Sequence, residues 1–361
     1  MMPRVLRRSS VAGDGPHGML RSRPWNPRMT LPTRAAERLT WTRSALRDPQ
    51  ALLESASADA SFRSYWRSHS GGRTWIVMDA PPDKEDIRPW LDIAQRLNAA
   101  GLHAPQIQAS DAELGFVLMA DLGTRLYLPA LNDDTVDALY ADALDALLTM
   151  QTQVDAADLP RYDEARLVAE MELMPTWFLT RHLGFTPECE DWDVIEPAFR
   201  ALVSNAQMQP QAFVHRDYHS RNLLIADDNN PGILDFQDAV RGPVTYDLVS
   251  LLRDCYIAWP EPRIDAWVEA YRQRLVGAGI TDVDSATFAR SFDLMGLQRH
   301  IKVLGIFCRL WYRDGKAGYL NDLPLVWKYT REVGLRHAEI APLIGLIERA
   351  LGERDITLPL A

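Results

Sequence analysis

The chain has 361 residues, of which 47% are hydrophobic, and a formal net charge of −10. This length and apolar content allow a large core and suggest two domains or one two-lobed domain. The acidic balance, without a basic patch in the body of the chain, disfavours a nucleic acid or an anionic membrane as partner, and no apolar run approaches the roughly 20 residues needed to cross a bilayer.

The first 28 residues differ from the rest of the chain. They carry six arginines against a single acid, Asp14, among glycine, proline and serine residues. Because they lack an apolar segment, they are not a secretory signal. We predict that residues 1–28 are a disordered tail or an over-extended start with Met29 as the true initiator; an organelle transit peptide is the alternative.

A small β-rich lobe is predicted over residues 29–122, with a helical lead-in from Thr30 to Leu53. Strand-like residues on both sides of Gly71-Gly72 predict a β-hairpin. Apolar residues at helical spacing from Ile87 to Leu97 predict one helix, and residues 115–119 read as a further apolar strand.

The remainder, residues 123–361, is predicted to be a larger and mainly helical lobe. Apolar residues recur at helical spacing from Val136 to Met150 and from Leu294 to Trp311, which predicts two long amphipathic helices. A β-rich lobe joined to a helical lobe leaves a cleft between them, and ligands bind in such clefts. The sequence therefore predicts a bilobal α+β fold with a ligand-binding site in the cleft.

One segment of the helical lobe carries most of the chemical information. Residues 215–222 read His-Arg-Asp-Tyr-His-Ser-Arg-Asn, and Asp235 follows Asn222 by thirteen positions. This spacing is typical of kinases. A kinase takes its base from an Asp, one magnesium ligand from an Asn five positions later, and a second magnesium ligand from an Asp at the end of a short apolar run. We predict that Asp217 accepts a proton from the attacking hydroxyl or orients it, and that Asn222 and Asp235 bind Mg²⁺.

The residues between Asn222 and Asp235 predict a β-hairpin, because a cluster of turn formers separates two short apolar runs. If residue 225 lies opposite residue 232, antiparallel pairing places Asn222 opposite Asp235. Their oxygen atoms would then emerge side by side, with room for a divalent cation between them.

Other interpretations of the catalytic segment remain open. His215, Asp217 and His219 alternate, as in a zinc- or iron-binding strip on an extended segment. Alternatively, the two histidines brace the loop through hydrogen bonds to the backbone, and Asp217 alone takes part in chemistry. Asp247 is expected to cap a helix and to brace this loop.

Residues 35–350 resemble the aminoglycoside phosphotransferase and choline kinase-like family, which shares the protein-kinase fold. The resemblance rests on the catalytic segment, on Leu234-Asp235-Phe236 and on Gly242–Leu248. Four stretches most resemble the bacterial anomeric sugar kinases of this family: residues 59–63, 78–82, 121–123 and 235–239. The resemblance implies phosphorylation by ATP, with Mg²⁺, of the C1 hydroxyl of N-acetylmuramate or N-acetylglucosamine during peptidoglycan recycling. It implies no nucleic acid, membrane or obligate protein partner.

The resemblance also implies that the lobe over residues 29–122 binds the nucleotide, and it assigns the contacts. The turn over the ATP phosphates falls on small residues that let backbone N–H groups approach an anion, namely Ala58, Asp59, Ala60 and Ser61. The adenine would meet the backbone of Met119, Asp121 and Leu122. Met78 occupies the strand position at which kinases carry the phosphate-binding lysine, and the sequence does not indicate which cation replaces that lysine. The nearby candidates are Arg63, Arg67 and Lys84.

The sugar contacts are less clear from sequence. Glu170 and Glu172 are candidates for hydrogen bonding to a pyranose, and Trp177 is a candidate for stacking on it. Arg299 or Lys302 is a candidate for pairing with a lactyl carboxylate. The alternatives are a kinase for another small alcohol, such as an amino-alcohol or an aminoglycoside, and a nucleotide-binding module without catalysis. Three widely spaced cysteines without a Cys-x-x-Cys predict a reducing compartment, and we expect a cytoplasmic protein.

Overall fold

The computed structural model describes residues 33–58 and 62–360 of the chain. The tail predicted over residues 1–28 lies outside the described residues, as do Asp59, Ala60 and Ser61 of the predicted phosphate turn. Within the described residues, a β-rich lobe is followed by a mainly helical lobe, which confirms the predicted bilobal α+β fold. The lobe boundary after residue 122 stays a prediction.

The first lobe contains a sheet whose described strands are antiparallel and lie in the order β1-β2-β3-β5-β4. The strands are β1 Glu54–Ala58, β2 Ser64–Ser70, β3 Arg73–Asp79, β4 Ile107–Asp111 and β5 Phe116–Ala120, and the helices are α1 Arg34–Leu46 and α2 Arg88–Ala99. The predicted hairpin is the β2–β3 pair. Its turn places Gly71 and Gly72 at φ +59° and +73°, in the left-handed region that glycine readily adopts.

Two details of this lobe differ from the sequence prediction. The helical lead-in is shorter than expected, because Arg47 adopts a left-handed φ of 53° and α1 ends at Leu46. Strands β1 and β4 were not predicted, since neither contains a continuous apolar run. Helix α1 is fastened to β3 by Arg34 and Arg38, which donate to the two carboxylate oxygens of buried Asp79 at 2.7 and 2.6 Å.

The second lobe is mainly helical within the described residues. Its helices are α3 Tyr127–Ala130, α4 Val136–Gln153, α5 Glu164–Met171, α6 Cys189–Met208, α7 Thr245–Leu252, α8 Glu261–Gly277, α9 Ser285–Tyr312, α10 Leu323–Gly334 and α11 Ala341–Leu351, with a π-helical segment at Met174–His182 and a 3₁₀ segment at Ala317–Asp322. Helices α4 and α9 contain the two predicted apolar stripes. None of the helices in the described part of the chain has the length and apolar character that spanning a membrane requires.

Helix α9 is the centre of this lobe and packs against α6, α7, α10 and the π-helical segment. It lies very close to the backbone before the π-helical segment at Gly305, where a Cβ atom would lie 2.4 Å from the carbonyl oxygen of Leu173. Only a glycine allows the two backbones to approach so closely. This contact lies one turn after Lys302 on the same helix.

Four short strands frame the catalytic segment: β6 Gln211–Val214, β7 Leu223–Leu224, β8 Gly232–Ile233 and β9 Val240–Pro243. β6 pairs with β9, and β7 pairs with β8. The predicted β7–β8 hairpin is present, but its predicted register was wrong by one residue. Leu223 pairs with Ile233, and Asn222 lies opposite Leu234, whose N–H donates to the Asn222 carbonyl at 3.0 Å.

The register differs because Ile225 is not part of the hairpin. Its N–H donates instead to the carbonyl of Arg125 at 2.7 Å, in the segment that follows the first lobe. The pairing that remains places Leu223 and Ile233 together in the core, where both are fully buried. The contact of Ile225 with Arg125 thus ends the pairing at Leu224, and burial of Leu223 and Ile233 is consistent with that register.

Candidate active site

The catalytic loop, residues 215–222, leaves β6 and returns into β7. Its start is fixed by Asp247, whose two carboxylate oxygens accept hydrogen bonds from the backbone N–H groups of His215 and Arg216 at 2.6 and 3.0 Å. Asp247 therefore braces the loop, as predicted. It lies within the first turn of α7, however, and is not the helix cap, because the N-cap position belongs to Val244.

Asp217 lies half-buried in this loop, in a strongly charged environment. Burial raises the pKa of Asp217, but the positive charges of Lys302 and Arg299 outweigh burial and hold the pKa below its ordinary value. The carboxylate is therefore ionised at neutral pH. Arg216, the preceding residue, has a left-handed φ of 77°, and strained backbone of this kind is concentrated at functional sites.

Asn222 and Asp235 come together despite the shifted register. The Asn222 side-chain amide donates to the backbone carbonyl of Asp217 at 2.9 Å, and its Nδ2 lies 3.4 Å from Oδ2 of Asp235. Asp235 has a φ of 61°, a region that Asp tolerates better than most residues. With its nitrogen donating to Asp217, the Asn222 amide can offer its oxygen as a ligand, and Asp235 can offer its carboxylate. Mg²⁺ prefers such oxygen ligands and takes few of them from protein. The residues present therefore fit this metal.

The histidines of the loop have local roles. Nδ1 of His215 accepts the backbone N–H of Asp217 at 3.3 Å, and burial lowers the pKa of His215 to about 4. Burial also lowers the pKa of His219, whose ring packs edge-on against Tyr256. Within residues 33–58 and 62–360, no group of three or more His, Cys, Asp or Glu side chains is arranged to hold a metal ion.

A cavity of about 490 Å³ lies between the two lobes, in front of Asn222 and Asp235. Its walls include three residues predicted to meet adenine, namely Met119, Asp121 and Leu122. Sequence analysis did not anticipate four apolar or aromatic residues of the lining: Tyr65, Ile76, Trp90 and Phe236. Trp90 of α2 packs on Phe236 with ring centroids 5.1 Å apart, which joins the first lobe to the residue after Asp235.

On the side of Asp217 nearest α5, charged and phenolic side chains form a cluster, which we call the acceptor cluster. Its members are Tyr162, Glu170, Arg216, Tyr246, Arg299 and Lys302. Glu170 accepts hydrogen bonds from Tyr162 and Arg216 and lies 3.1 Å from Nζ of Lys302. Lys302 and Arg299 both donate to the hydroxyl of Tyr246, at 3.1 and 3.3 Å.

Three of the five sugar-binding candidates are thus brought together near Asp217: Glu170, Arg299 and Lys302. The other two lie apart from them. Glu172 is exposed at the C-terminal end of α5, and Trp177 is half-buried against the apolar core. Their roles in sugar binding stay predictions. Tyr162, Arg216 and Tyr246 were not predicted from sequence, although Arg216 lies inside the catalytic segment and Tyr246 inside the Gly242–Leu248 stretch.

A family model described as the phosphotransferase enzyme family matches residues 53–283, which include the residues that line the cavity between the lobes, the catalytic loop and Asp235. The chain belongs to this family. The phosphotransferase is 47% identical over 296 residues to the N-acetylmuramate/N-acetylglucosamine kinase of Pseudomonas aeruginosa, with 82% of this chain and 87% of that protein covered. The prediction of an ATP-dependent kinase is thereby confirmed.

Solved structures agree on the fold of this phosphotransferase. An ADP-bound aminoglycoside phosphotransferase superposes with a TM-score of 0.55 at 14% identity, over 82% of this chain and 98% of that chain. A choline/ethanolamine kinase family protein from Mesorhizobium loti superposes with a TM-score of 0.56 at 13% identity, over 86% of this chain and 99% of that chain. At these identities the likeness establishes the kinase-like fold that the sequence resemblance implied.

Proposed function

We propose that this phosphotransferase transfers the γ-phosphoryl group of ATP to the C1 hydroxyl of N-acetylmuramate and N-acetylglucosamine, giving the sugar 1-phosphate, in cytoplasmic recycling of cell-wall sugars. The observation that carries the proposal is the acceptor cluster beside Asp217, in a chain 47% identical to a kinase named for these two sugars. The cluster offers both hydrogen-bonding groups for a sugar and cationic groups for an acid.

In the proposed reaction, the carboxylate of Asp217 orients the C1 hydroxyl and accepts its proton. The sugar oxygen attacks the γ-phosphorus, the new O–P bond forms, and the bond to the oxygen bridging the β- and γ-phosphates breaks, so that ADP leaves. Since the pKa of Asp217 is lowered by Lys302 and Arg299, the residue is a weak base that acts mainly by alignment. Positioning and electrostatic stabilisation would supply most of the rate.

We assign Asn222 and Asp235 as the protein ligands of Mg²⁺, which when bound would neutralise charge on the phosphoryl oxygens. Their side chains line the nucleotide cavity together with Met119, Asp121 and Leu122, to which we assign the adenine. Arg67 fixes Asp121 through two hydrogen bonds, at 2.6 and 3.2 Å, and so stabilises this wall of the cavity. Ala58 and the three residues after it keep their predicted role over the phosphates.

The acceptor cluster also suggests how the two sugars are distinguished. The cluster has three cations, Arg216, Arg299 and Lys302, and one acid, Glu170. With the neighbouring carboxylate of Asp217 counted as well, the cations outnumber the acids by one. The lactyl carboxylate of N-acetylmuramate would compensate this excess, whereas N-acetylglucosamine carries no such group. We infer that the cluster binds the acidic sugar through Lys302 or Arg299.

Replacing Lys302 with methionine should reduce kcat/KM for N-acetylmuramate about 10- to 100-fold more than for N-acetylglucosamine, because a charged hydrogen bond is worth about 1.5–3 kcal/mol. The ratio of the two kcat/KM values is the measurement, since loss of Lys302 also affects Asp217 and slows both reactions. Lys328→Met, at an exposed lysine of α10, is the matched control. An unchanged ratio in Lys302→Met would remove Lys302 from acceptor selection.

The position of phosphorylation is tested with blocked sugars. We expect N-acetylglucosamine and its 6-deoxy analogue to be phosphorylated with ATP, and the methyl glycoside, whose C1 oxygen is capped, to be inert. ³¹P NMR of the product should show the phosphate coupled to the anomeric proton. Phosphorylation of the methyl glycoside would refute the C1 assignment, and preferential turnover of choline or an aminoglycoside in the same assay would refute the sugar assignment.

A further inference from the structure

The described part of the nucleotide cavity lacks a cation at the strand position that kinases use for the ATP phosphates. In kinases a lysine on the third strand contacts the phosphates, and the corresponding residue here is Met78. Met78 lies on β3 between Tyr65 and Val117 and is fully buried. Its thioether cannot neutralise a phosphate, so another residue must supply the charge.

Two of the three cations that the sequence offers are placed unfavourably. Arg67 forms a two-pronged ion pair with Asp121, at 2.6 and 3.2 Å, on the adenine side of the cavity. Lys84 is half-exposed, with a relative side-chain exposure of 51%, and pairs with Asp83 at 3.3 Å. Arg67 lines the same cavity as Asn222 and Asp235, but among the described residues its hydrogen bonds and ion pair go to Asp121.

Arg63 differs from both in burial and in position. Its side chain is only 6% exposed, although arginine is rarely buried unless paired. Nε lies 3.2 Å from Oε1 of Glu85, and Nη2 lies 3.7 Å from Oδ1 of Asp235. The guanidinium therefore reaches across the cleft from the first lobe to the predicted magnesium ligand of the second.

A second cavity, of about 310 Å³, places Arg63 in its surroundings. Arg63, Met78 and Glu85 line it from the first lobe, and Gln237 and Asp238 line it from the second. The methionine at the lysine position and the buried arginine thus face the same space, beside the segment that carries Asp235. Arg63 is also the second residue after the predicted phosphate turn, at the entry to β2.

We propose that Arg63 is the phosphate-binding cation of this enzyme and takes the role that kinases give to the lysine of the third strand. Glu85 positions it, as an acid from the helix after that strand positions the lysine in kinases. The planar guanidinium can donate two parallel hydrogen bonds to phosphate oxygens. The assignment rests on ATP as the phosphoryl donor and does not depend on which hydroxyl accepts the phosphate.

The test compares the affinities for ADP and for adenosine, measured by titration calorimetry with Mg²⁺ present. Arg63→Met should weaken ADP binding about 10- to 100-fold and leave adenosine binding within about twofold of the parent, because only ADP carries phosphates. Arg63→Lys should retain part of the ADP affinity. Lys84→Met, the loss of an exposed cation close in sequence, should leave both affinities unchanged.

Two results would overturn the proposal. If Arg63→Met weakened the binding of ADP and of adenosine equally, the role of Arg63 would be structural. If Arg63→Met weakened ADP binding no more than Lys84→Met does, another group would bind the phosphates. Should Arg63→Met fail to fold, Arg63→Gln, which can still donate to Glu85, provides the same comparison. Since no sugar is present, the outcome is independent of the C1 assignment.

Discussion

The Asp217→Asn enzyme is expected to retain its fold and to lose turnover by ~10² or more, the usual scale for a positioned acid–base group. Asparagine keeps the size of the side chain but can neither accept the proton of the attacking hydroxyl nor carry the negative charge that Lys302 and Arg299 stabilise. The measurement is kcat from ADP release in a coupled assay, together with the thermal unfolding midpoint. Turnover near the parent value would exclude Asp217 as the base.

The charge environment of Asp217 gives this prediction a pH dependence. Because its pKa is lowered, Asp217 stays ionised, and able to act, below the ordinary titration range of aspartate. Removing the positive charge of Lys302 raises the pKa, so the acidic limb of kcat should move to higher pH in Lys302→Met. Asp228→Asn, at an exposed residue in the turn of the β7–β8 hairpin, should change neither kcat nor its pH profile.

The catalytic residues were predictable because their spacing is local. Asp217 and Asn222 share one loop, and a hairpin is the simplest way for Asp235 to return beside them. The exact pairing was not predictable, since it depends on Ile225 binding Arg125, a residue one hundred positions away along the chain. Local pattern thus determined which residues meet, and a distant backbone contact determined how they pair.

The acceptor cluster shows the limit of the sequence argument more clearly. Glu170 pairs with Arg216 and Lys302, and these three residues come from α5, the catalytic loop and α9. Because they lie on separate elements, no local sequence motif links these three residues. Arg299 and Lys302 were noted because they lie off the apolar stripe of their helix, but Tyr162 and Tyr246 read as ordinary core aromatics.

The choice of Arg63 over Arg67 and Lys84 could not be made from sequence for the same reason. All three cations lie within a short stretch of the first lobe, and all have acidic residues nearby in the chain. Only the fold shows that Arg67 is paired with Asp121, whereas Arg63 is buried beside Asp235. The cation was therefore identified by its burial and by the lobe it faces.

The second large effect is expected at Asp235. Asp235→Asn should lower kcat on the order of 10² or more, because loss of a charged ligand weakens Mg²⁺ binding and with it the stabilisation of the phosphoryl group. Asparagine is the appropriate substitute, since the backbone here has a φ of 61°. Asn adopts this region readily, while alanine would add a backbone cost of about 1–2 kcal/mol.

Metal binding by Asp235 can be measured apart from turnover. In the parent enzyme Mg²⁺ should strengthen the binding of ADP, and in Asp235→Asn that enhancement should largely disappear while adenosine binds as before. Asp228→Asn, the same substitution at an exposed carboxylate in the turn of the β7–β8 hairpin, should keep both the enhancement and kcat. If Mg²⁺ strengthened ADP binding equally in Asp235→Asn and in the parent, Asp235 would not be a metal ligand, and its closeness to Asn222 and Arg63 would have only a structural meaning.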